Sequence, residues 1–361
     1  MNRAKSPAAM LALGLVLAAA APAVAAEPEL GPPAPQILIE GYPEDIAQSL
    51  RKHERRVNNA AERMNSAPKY LILPVSRRWR PGQTVKVAFS GGTPELHAQI
   101  EAAAKTWTGP DGASLDLDFR VGSGAYRTWS PSDGKYTADI RIGFDRPGQW
   151  SLVGSDSVDA SIKGGAPGHA SMNLGAFDQR LPHDWRAVVM HEFGHALGFE
   201  HEHQNPDGGC DFRFNDDPGY RLTVDQAGWY TTDAAGHRPG LYTYLGGKAN
   251  YWKRSEVDWN LRALPTSSVA SPFDRTSIMK YFFDPSMFAS GVQSACYTTT
   301  PNDSLSALDF EGARSVYPRS ATAALLSSEQ TARVLKELQT IKALTDALRT
   351  SATNRINALT D

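Results

Sequence analysis

Residues 191–201 read HEFGHALGFEH, and this stretch decides the fold. His191 and His195 are four residues apart, so on a helix both imidazoles point from the same face. Neutral imidazole nitrogen is a good ligand for Zn²⁺, which prefers tetrahedral nitrogen, sulfur or oxygen donors. The spacing therefore predicts a helix that carries two ligands of a zinc site.

A glycine beyond the second histidine predicts how a third ligand reaches the same metal. A helix that continued through Gly198 would rotate His201 away from the ligand face. Glycine tolerates positive φ, so the chain can turn sharply there and bring His201 back to the metal. Three histidines leave one coordination position open for water, which is typical of a catalytic zinc ion rather than a structural one.

Glu192, beside the first ligand, completes the predicted chemistry. A carboxylate there can take a proton from the water that attacks a carbonyl carbon and then pass it to the leaving amine. The five fixed residues of H-E-x-x-H-x-x-G-x-x-H are far more specific than H-E-x-x-H alone. The pattern favours zinc-dependent hydrolysis, with Glu192 as general base and acid.

The composition around this motif is that of an ordinary globular chain. It has 361 residues, of which 41% are hydrophobic and 21% charged, and a formal net charge of −2. These values exclude a collagen, a coiled-coil rod and a wholly disordered chain. The near-neutral charge argues against a broad nucleic-acid-binding surface, so no nucleic-acid partner is predicted.

Residues 1–26 have the pattern of an export signal. Arg3 and Lys5 precede an apolar core of about 14 residues, and small residues up to Ala26 suit cleavage. The apolar core is shorter than the roughly 20 residues that a membrane span needs. The sequence predicts a signal peptide, a secreted or periplasmic protein, and no integral membrane segment once the signal is removed.

An oxidising compartment favours a disulfide between the only two cysteines, Cys210 and Cys296. The alternative is a pair of free, buried thiols. Positions 210 to 296 inclusive would close a loop of 87 residues. Closing such a loop stabilises the fold by roughly 4–5 kcal/mol in the chain-entropy model.

Regular patterning begins near residue 79 and predicts one domain over residues 79–318 with both helices and strands. Thr93 and Pro94 are a good helix entry. The glycine-rich and serine-rich segment 150–168 is expected to be a surface loop. Alternation predicts strands at Thr84–Phe89, Leu115–Val121 and Ile140–Phe144, followed by an edge strand at Ser171–Leu174.

The flanking segments, 27–78 and 319–361, leave alternatives open. The first contains a charged helical stretch at 43–64 without a convincing core stripe, and it is either an inhibitory propeptide or a support that packs on the domain. Its Arg77-Arg78 pair could mark a processing site. The last segment is predicted to form one C-terminal helix, which either docks on the domain or mediates self-association. Its apolar stripe comprises Val334, Leu338, Ile341, Leu344 and Leu348.

Residues 184–207 and 277–281 resemble the metzincin zinc endopeptidases in their astacin-like form. Residues 198–203, GFEHEH, are similar to the astacin G-F-x-H-E-H, and residues 277–281, SIMKY, are similar to its Met-turn, S-x-M-H-Y. The resemblance implies an α+β domain with a mixed twisted sheet and the active-site helix above a loop-rich lower subdomain. It also implies that Met279 forms a hydrophobic floor beneath the zinc. Tyr281 would be a fifth ligand that hydrogen-bonds the transition state.

Some positions depart from that family pattern. Lys280 replaces the usual histidine, and one disulfide takes the place of the usual two. Segment 27–78 has no cysteine, which excludes a cysteine switch, and Asp45 is a poor match to an aspartate switch. His203 is expected to face away from the metal and to pair with a carboxylate. By the same resemblance the edge strand would bind extended substrate.

Two acidic runs, at 207–211 and 216–217, raise the possibility of Ca²⁺, although polar turns are the simpler interpretation. The leading prediction is a secreted zinc metalloendopeptidase with one Zn²⁺ and a protein or peptide substrate. Two alternatives stay open: a zinc-containing binding or adhesion module without turnover, and a zinc hydrolase that acts on cell-wall peptide.

Overall fold

The computed structural model describes residues 41–61, 75–122, 124–248, 250–264, 272–340 and 346–360. The predicted signal peptide lies outside these residues, as do parts of the 27–78 segment. Helices α1 to α8 span Glu44–Ala61, Pro94–Ala104, Trp185–Ala196, Leu241–Gly246, Arg254–Leu261, Ala307–Val316, Ala321–Thr340 and Asp346–Thr360. Strands β1 to β5 span Thr84–Phe89, Asp116–Asp118, Ile140–Gly143, Gln149–Ser151 and Met172–Leu174.

The five strands form one mixed sheet in the order β2-β1-β3-β5-β4. Strands β1, β2, β3 and β5 are parallel, and β4 runs antiparallel to β5 at the outer edge. Val87 of β1 pairs with Ile140 of β3, and Ile142 pairs with Met172 of β5. The mixed α+β fold predicted from the sequence is confirmed.

The edge position predicted for the strand at residues 171–174 is wrong. Residues 172–174 do form a strand, but it lies between β3 and β4 and is fully buried. The true edge is β4, in a segment expected to be a surface loop. That expectation fails because the glycines of this segment allow close backbone packing rather than exposure. A Cβ at Gly154 or Gly165 would collide with backbone carbonyl oxygens of Arg77 or Asp156.

The main core lies between the sheet and helices α2 and α3. Thr93 caps α2 as predicted, since its hydroxyl accepts a hydrogen bond from the Leu96 amide at 3.3 Å. The indole of Trp107, just after α2, is buried and donates to the Met190 carbonyl of α3 at 2.7 Å. This bond helps to fix the position of α3 relative to α2.

A second, smaller core lies in the loop-rich lower part of the domain. It is built around the predicted Cys210–Cys296 disulfide, which the structure contains with a Cα–Cα distance of 5.2 Å. Buried apolar side chains surround Cys296, and they come from α4, α5 and the chain after the Met-turn. They are Leu241, Leu245, Val257, Leu261, Phe283, Met287 and Phe288.

Helix α1 packs against the β4 edge and, contrary to expectation, has a core stripe. Ile46, Leu50 and Val57 are buried, and the first two contact Trp150 of β4 within one apolar cluster. The stripe is hard to see because His53, also buried, occupies its third position. The spacing i, i+4, i+7, i+11 is that of one helix face.

The C-terminal segment forms two helices rather than the single helix predicted. Helices α7 and α8 pack together, and the Gln339 amide donates to the Thr353 hydroxyl at 2.6 Å. Of the predicted stripe, Val334 and Leu338 are buried. Ile341 and Leu344 lie outside the described residues, and the side chain of Leu348 is not described.

Helix α8 also contacts the domain predicted at residues 79–318, where the Ser351 hydroxyl donates to Asp159 at 2.7 Å. Across the described ranges, none of the helices combines the length and the apolar character needed to cross a bilayer.

Candidate zinc site

Three histidine side chains meet at one point below α3. The Nε2 atom of His195 lies 3.2 Å from Nε2 of His191 and 3.0 Å from Nε2 of His201. Their ligand atoms all lie within 4.8 Å of one another. Within the described ranges, no other set of three or more His, Cys, Asp or Glu side chains is arranged in this way.

The other ring nitrogens of these histidines face oxygen acceptors. Nδ1 of the first lies 2.8 Å from the Ile278 carbonyl, and Nδ1 of the second lies 2.7 Å from the Phe199 carbonyl. Nδ1 of the third is 3.4 Å from Oε1 of Gln204. Because a carbonyl oxygen only accepts, each Nδ1 carries the proton and each Nε2 presents a lone pair to the centre. This donor set fits Zn²⁺.

The turn predicted at Gly198 is present and brings the third histidine to the other two. Gly198 has φ +98°. Its amide donates to the His195 carbonyl at 2.7 Å, and the Phe199 amide donates to the Gly194 carbonyl at 3.0 Å. These two bonds form a Schellman motif, which ends a helix with a left-handed residue. The same turn places the Phe199 carbonyl that holds His195.

Two aromatic side chains hold the last carbonyls of α3. The Trp79 indole donates to the Ala196 carbonyl at 2.8 Å, and the Tyr317 hydroxyl donates to the Leu197 carbonyl at 2.5 Å. Trp79 and Tyr317 lie at the two ends of the predicted catalytic domain. The C-terminal end of α3 is therefore fixed only when both ends of the domain are folded.

Asp184 precedes α3, and an aspartate at this position is predicted to cap the helix, but its side chain makes no capping hydrogen bond. Asp184 has φ −95° and ψ 15°. A capping side chain needs an extended backbone at this position in order to reach the second or third amide of the helix.

Met279 lies against the zinc helix as the Met-turn resemblance implies. It is buried, and its sulfur packs against Gly194, which lies between the two helical histidines. A Cβ at Gly194 would collide with this sulfur and would lie 2.9 Å from the Trp107 ring. The sequence motif leaves position 194 unconstrained, so sequence reasoning missed it. Only the folded contact shows that glycine is required.

We expect Gly194→Ala to destabilise the protein by about 1–3 kcal/mol, because the added methyl overpacks this contact. The measurement is the free energy of unfolding in denaturant. The matched control is Gly312→Ala in α6, where a Cβ would meet nothing within 4 Å. That change should stabilise by up to about 1 kcal/mol through helix propensity. Equal effects of the two substitutions would contradict the contact at Gly194.

The Met-turn is held from below by α6. Asp309 accepts from the Ser277 hydroxyl at 2.6 Å and from the Ile278 amide at 2.9 Å. Burial raises the pKa of Asp309, although these donors oppose the shift. Ile278 is the residue whose carbonyl holds His191. Asp309 therefore supports a predicted zinc ligand through one intervening residue.

Tyr281 lies beside the three histidines, as the resemblance implies. Its ring centroid is 4.4 Å from that of His201 and 5.2 Å from that of His191. Lys280, which departs from the family pattern, is buried, and its ammonium donates to the Tyr281 carbonyl at 2.9 Å. Burial, with a smaller effect of Arg275, lowers the pKa of Lys280 to about 8.

The chain thus resembles the astacin-like metzincins.

Comparison with solved structures gives three neighbours that match about two thirds of the chain. Two structures titled "Structure of myroilysin" and "Crystal structure of myroilysin" are 28% and 24% identical to the chain, with TM-scores of 0.47 and 0.40. They cover 68% and 71% of this chain and 97% and 98% of their own. No protein-family model and no curated protein matches the chain.

A third neighbour is high choriolytic enzyme 1 from Oryzias latipes (medaka fish), which is described as a hatching enzyme zinc-protease. It is 17% identical, with a TM-score of 0.35, and covers 67% of this chain and 94% of its own. The roles given to the site residues rest on the geometry of this chain and not on that of its neighbours.

Two acidic side chains directly follow histidines of the site, Glu192 after His191 and Glu202 after His201. Glu192 is 2% exposed and follows His191 on α3. Glu202 follows the third histidine, and burial raises its pKa to about 7 despite hydrogen bonds from the Asp274 amide and Asn205. Of the two, only Glu192 lies on α3, which carries the predicted metal ligands His191 and His195.

His203 does not pair with a carboxylate as expected. Its Nε2 atom lies 2.9 Å from the Asn260 carbonyl, and its ring stacks on Tyr281 at 4.8 Å. Burial, together with the neighbouring His201, lowers the pKa of His203 well below its usual value. A neutral imidazole suits this site, because the carbonyl needs only one ring N–H.

The acidic runs considered for Ca²⁺ make the contacts of polar turns. Asp217 accepts from Nε of Arg238 at 3.0 Å. Asp216 accepts from the Gly240 amide at 2.6 Å, and Asp211 accepts from the Ser290 amide at 2.7 Å.

Proposed function

We propose that the chain is an exported zinc-dependent endopeptidase that hydrolyses peptide bonds. The observation that carries this proposal is the convergence of three histidine Nε2 atoms at one point, with Glu192 next to the first of them on the same helix. Export is supported by the predicted signal peptide and by the Cys210–Cys296 disulfide.

The residues present divide the reaction among them. His191, His195 and His201 would hold the zinc ion, which when bound supplies Lewis-acid activation of water and carbonyl. The Glu192 carboxylate takes one proton from the attacking water and delivers it to the amine nitrogen as the C–N bond breaks. The Tyr281 hydroxyl donates a hydrogen bond to the carbonyl oxygen as that oxygen gains negative charge.

An extended substrate would bind along β4. The Leu152 amide donates to the Ser171 carbonyl, and the Gly175 amide donates to the Gly148 carbonyl, so residues 148, 150 and 152 face β5. In an antiparallel pair the alternate residues point their N–H and C=O groups the other way. Ser151 therefore presents its carbonyl outward, where a peptide strand can add to the sheet.

The segment just before α1 occupies this edge. The Tyr42 hydroxyl donates to the Ser151 carbonyl at 2.5 Å. The Tyr42 ring lies 5.9 Å from Trp150 of β4 and 5.5 Å from Trp259 of α5 in the lower subdomain. We infer that this segment and α1 form a propeptide that covers the substrate strand.

Asp45 serves this attachment and is not a switch at the metal. Its carboxylate pairs with Arg146 and Lys163, each at 2.8 Å. Although burial raises the pKa of Asp45, the hydrogen bonds from Lys163 and Arg146 bring it down to about 2. The carboxylate is therefore charged at neutral pH and holds α1 beside the β3–β4 connection.

The proposed function is tested with purified, processed protein. We expect about one zinc per chain and hydrolysis of an unfolded protein, both lost on treatment with a zinc chelator and regained when zinc is restored. Cell-wall peptide is assayed in parallel, since turnover of that substrate alone would favour the cell-wall alternative. Stoichiometric zinc without turnover of any protein or peptide would overturn the proposal.

A further inference from the structure

A single buried guanidinium joins three distant parts of the chain. Arg77 lies 2.9 Å from Glu54 of α1, 2.8 Å from Asp156 in the 3-10 turn Gly154–Val158, and 2.8 Å from Glu200. Only 4% of Arg77 is exposed. In the sequence it belongs to a dibasic pair that suggests processing, but in the folded protein the side chain is fully engaged.

The backbone of Arg77 is fixed as well as its side chain. The Ser155 amide donates to the Arg77 carbonyl at 2.9 Å. Gly154 approaches this carbonyl so closely that any side chain there would collide with it. The guanidinium therefore starts from a fixed point and has little freedom to follow a moving partner.

The partner that matters for the metal is Glu200, which directly precedes the third histidine. His191 and His195 lie on α3, and short hydrogen bonds to carbonyls orient both of them. His201 lies beyond the Gly198 turn, and its Nδ1 contact with Gln204 is the longest of the three, at 3.4 Å. Its position depends most on how the segment from Gly198 to His201 is held.

We propose that Arg77 is a positioning residue for the third zinc ligand: its ion pair with Glu200 fixes the segment that carries His201, and Glu54 of α1 shares the same guanidinium. This inference rests on the proposed zinc site. Supporting contacts of metal ligands commonly change metal affinity by about 10- to 100-fold. Arg77 would act at this level, without touching the metal.

The charges indicate what the loss of α1 does to this cluster. Arg355 of α8 interacts electrostatically with Asp156 and Asp159, so the group contains four carboxylates and two guanidinium groups while α1 is docked. Without Glu54 three carboxylates remain, and Arg77 keeps both Asp156 and Glu200 as partners. A buried ion pair is damaged mainly when one partner is removed and the other is left uncompensated. The Arg77–Glu200 pair is therefore expected to survive the release of α1.

The test measures zinc affinity of the full chain by chelator competition. We expect Arg77→Met and Glu200→Gln each to weaken zinc binding about 10- to 100-fold. The double variant should bind zinc no more weakly than the weaker-binding single variant, because both changes remove the same ion pair. Arg77→Lys should restore part of the affinity. Co²⁺ spectra of the same variants should report an altered ligand geometry.

The matched control is Glu54→Gln, which removes the ion pair at the other terminal nitrogen of the same guanidinium. Its zinc affinity should stay within about threefold of the wild type. Unchanged affinity in Glu200→Gln would overturn the inference, even if Arg77→Met failed to fold, and so would strictly additive losses in the double variant. Wild-type protein that binds no zinc would instead overturn the proposed function.

Discussion

Replacing Glu192 by glutamine is expected to lower kcat/KM for a peptide substrate by about 10²- to 10⁴-fold. The amide has nearly the same shape, but it cannot take the proton from water or return it to the amine. Because Glu192 is not one of the three converging ligands, we expect the zinc content to stay near one per chain. The measurements are steady-state kinetics and metal analysis of the same sample.

Glu95→Gln provides the control for this experiment. Glu95 is an exposed carboxylate in the first turn of α2. The same chemical change there should leave kcat/KM unchanged. A Glu192→Gln enzyme that keeps its zinc and loses less than tenfold in kcat/KM would contradict the role given to this carboxylate. Loss of zinc together with activity would indicate a structural role instead.

Weakening the attachment of α1 is expected to raise kcat/KM by roughly 30- to 100-fold. That range follows if α1 docks with about 2.0–2.7 kcal/mol, so that about 1–3% of molecules have a free substrate strand. The variant is Ile46→Asp combined with Leu50→Asp in the full chain. Both side chains are buried against the β4 edge, and charges there would oppose docking.

Lys52→Ala is the matched control, because Lys52 lies on the exposed face of the same helix. It should leave kcat/KM unchanged. The zinc content and melting temperature of the double variant are measured alongside, so that unfolding of the domain is recognised. A properly folded double variant with unchanged kcat/KM would show that α1 is a permanent support, which is the other interpretation of the 27–78 segment.

The zinc motif could be predicted from sequence because its spacing encodes its geometry. The placement of the i, i+4 histidines on one helix face and the turn at the glycine both follow from local backbone geometry, and the structure shows both. Gly194 could not be found in this way, because the residue it meets, Met279, lies far along the chain. The same holds for Arg77, whose sequence context suggested processing and whose partners appear only on folding.

The sheet shows the same limit at the level of strands. Alternation of apolar and polar residues predicted β1 and β3, because this pattern lies within one strand and does not depend on which strands pair with it. It could not order the strands, so the strand predicted at Ser171–Leu174 was expected at the edge that Gln149–Ser151 occupies. Strand order depends on long-range pairing, and a three-residue strand carries almost no periodicity.

The Arg77 cluster also bears on the kinetics of folding. Its partners lie 23, 79 and 123 residues away along the chain, since 77 − 54 is 23, 156 − 77 is 79 and 200 − 77 is 123. Contacts of such separation form late, because each must first overcome the entropy of closing a long loop. A nascent chain will therefore contain all three histidines well before it can hold them in place, and tight zinc capture will mark the end of folding.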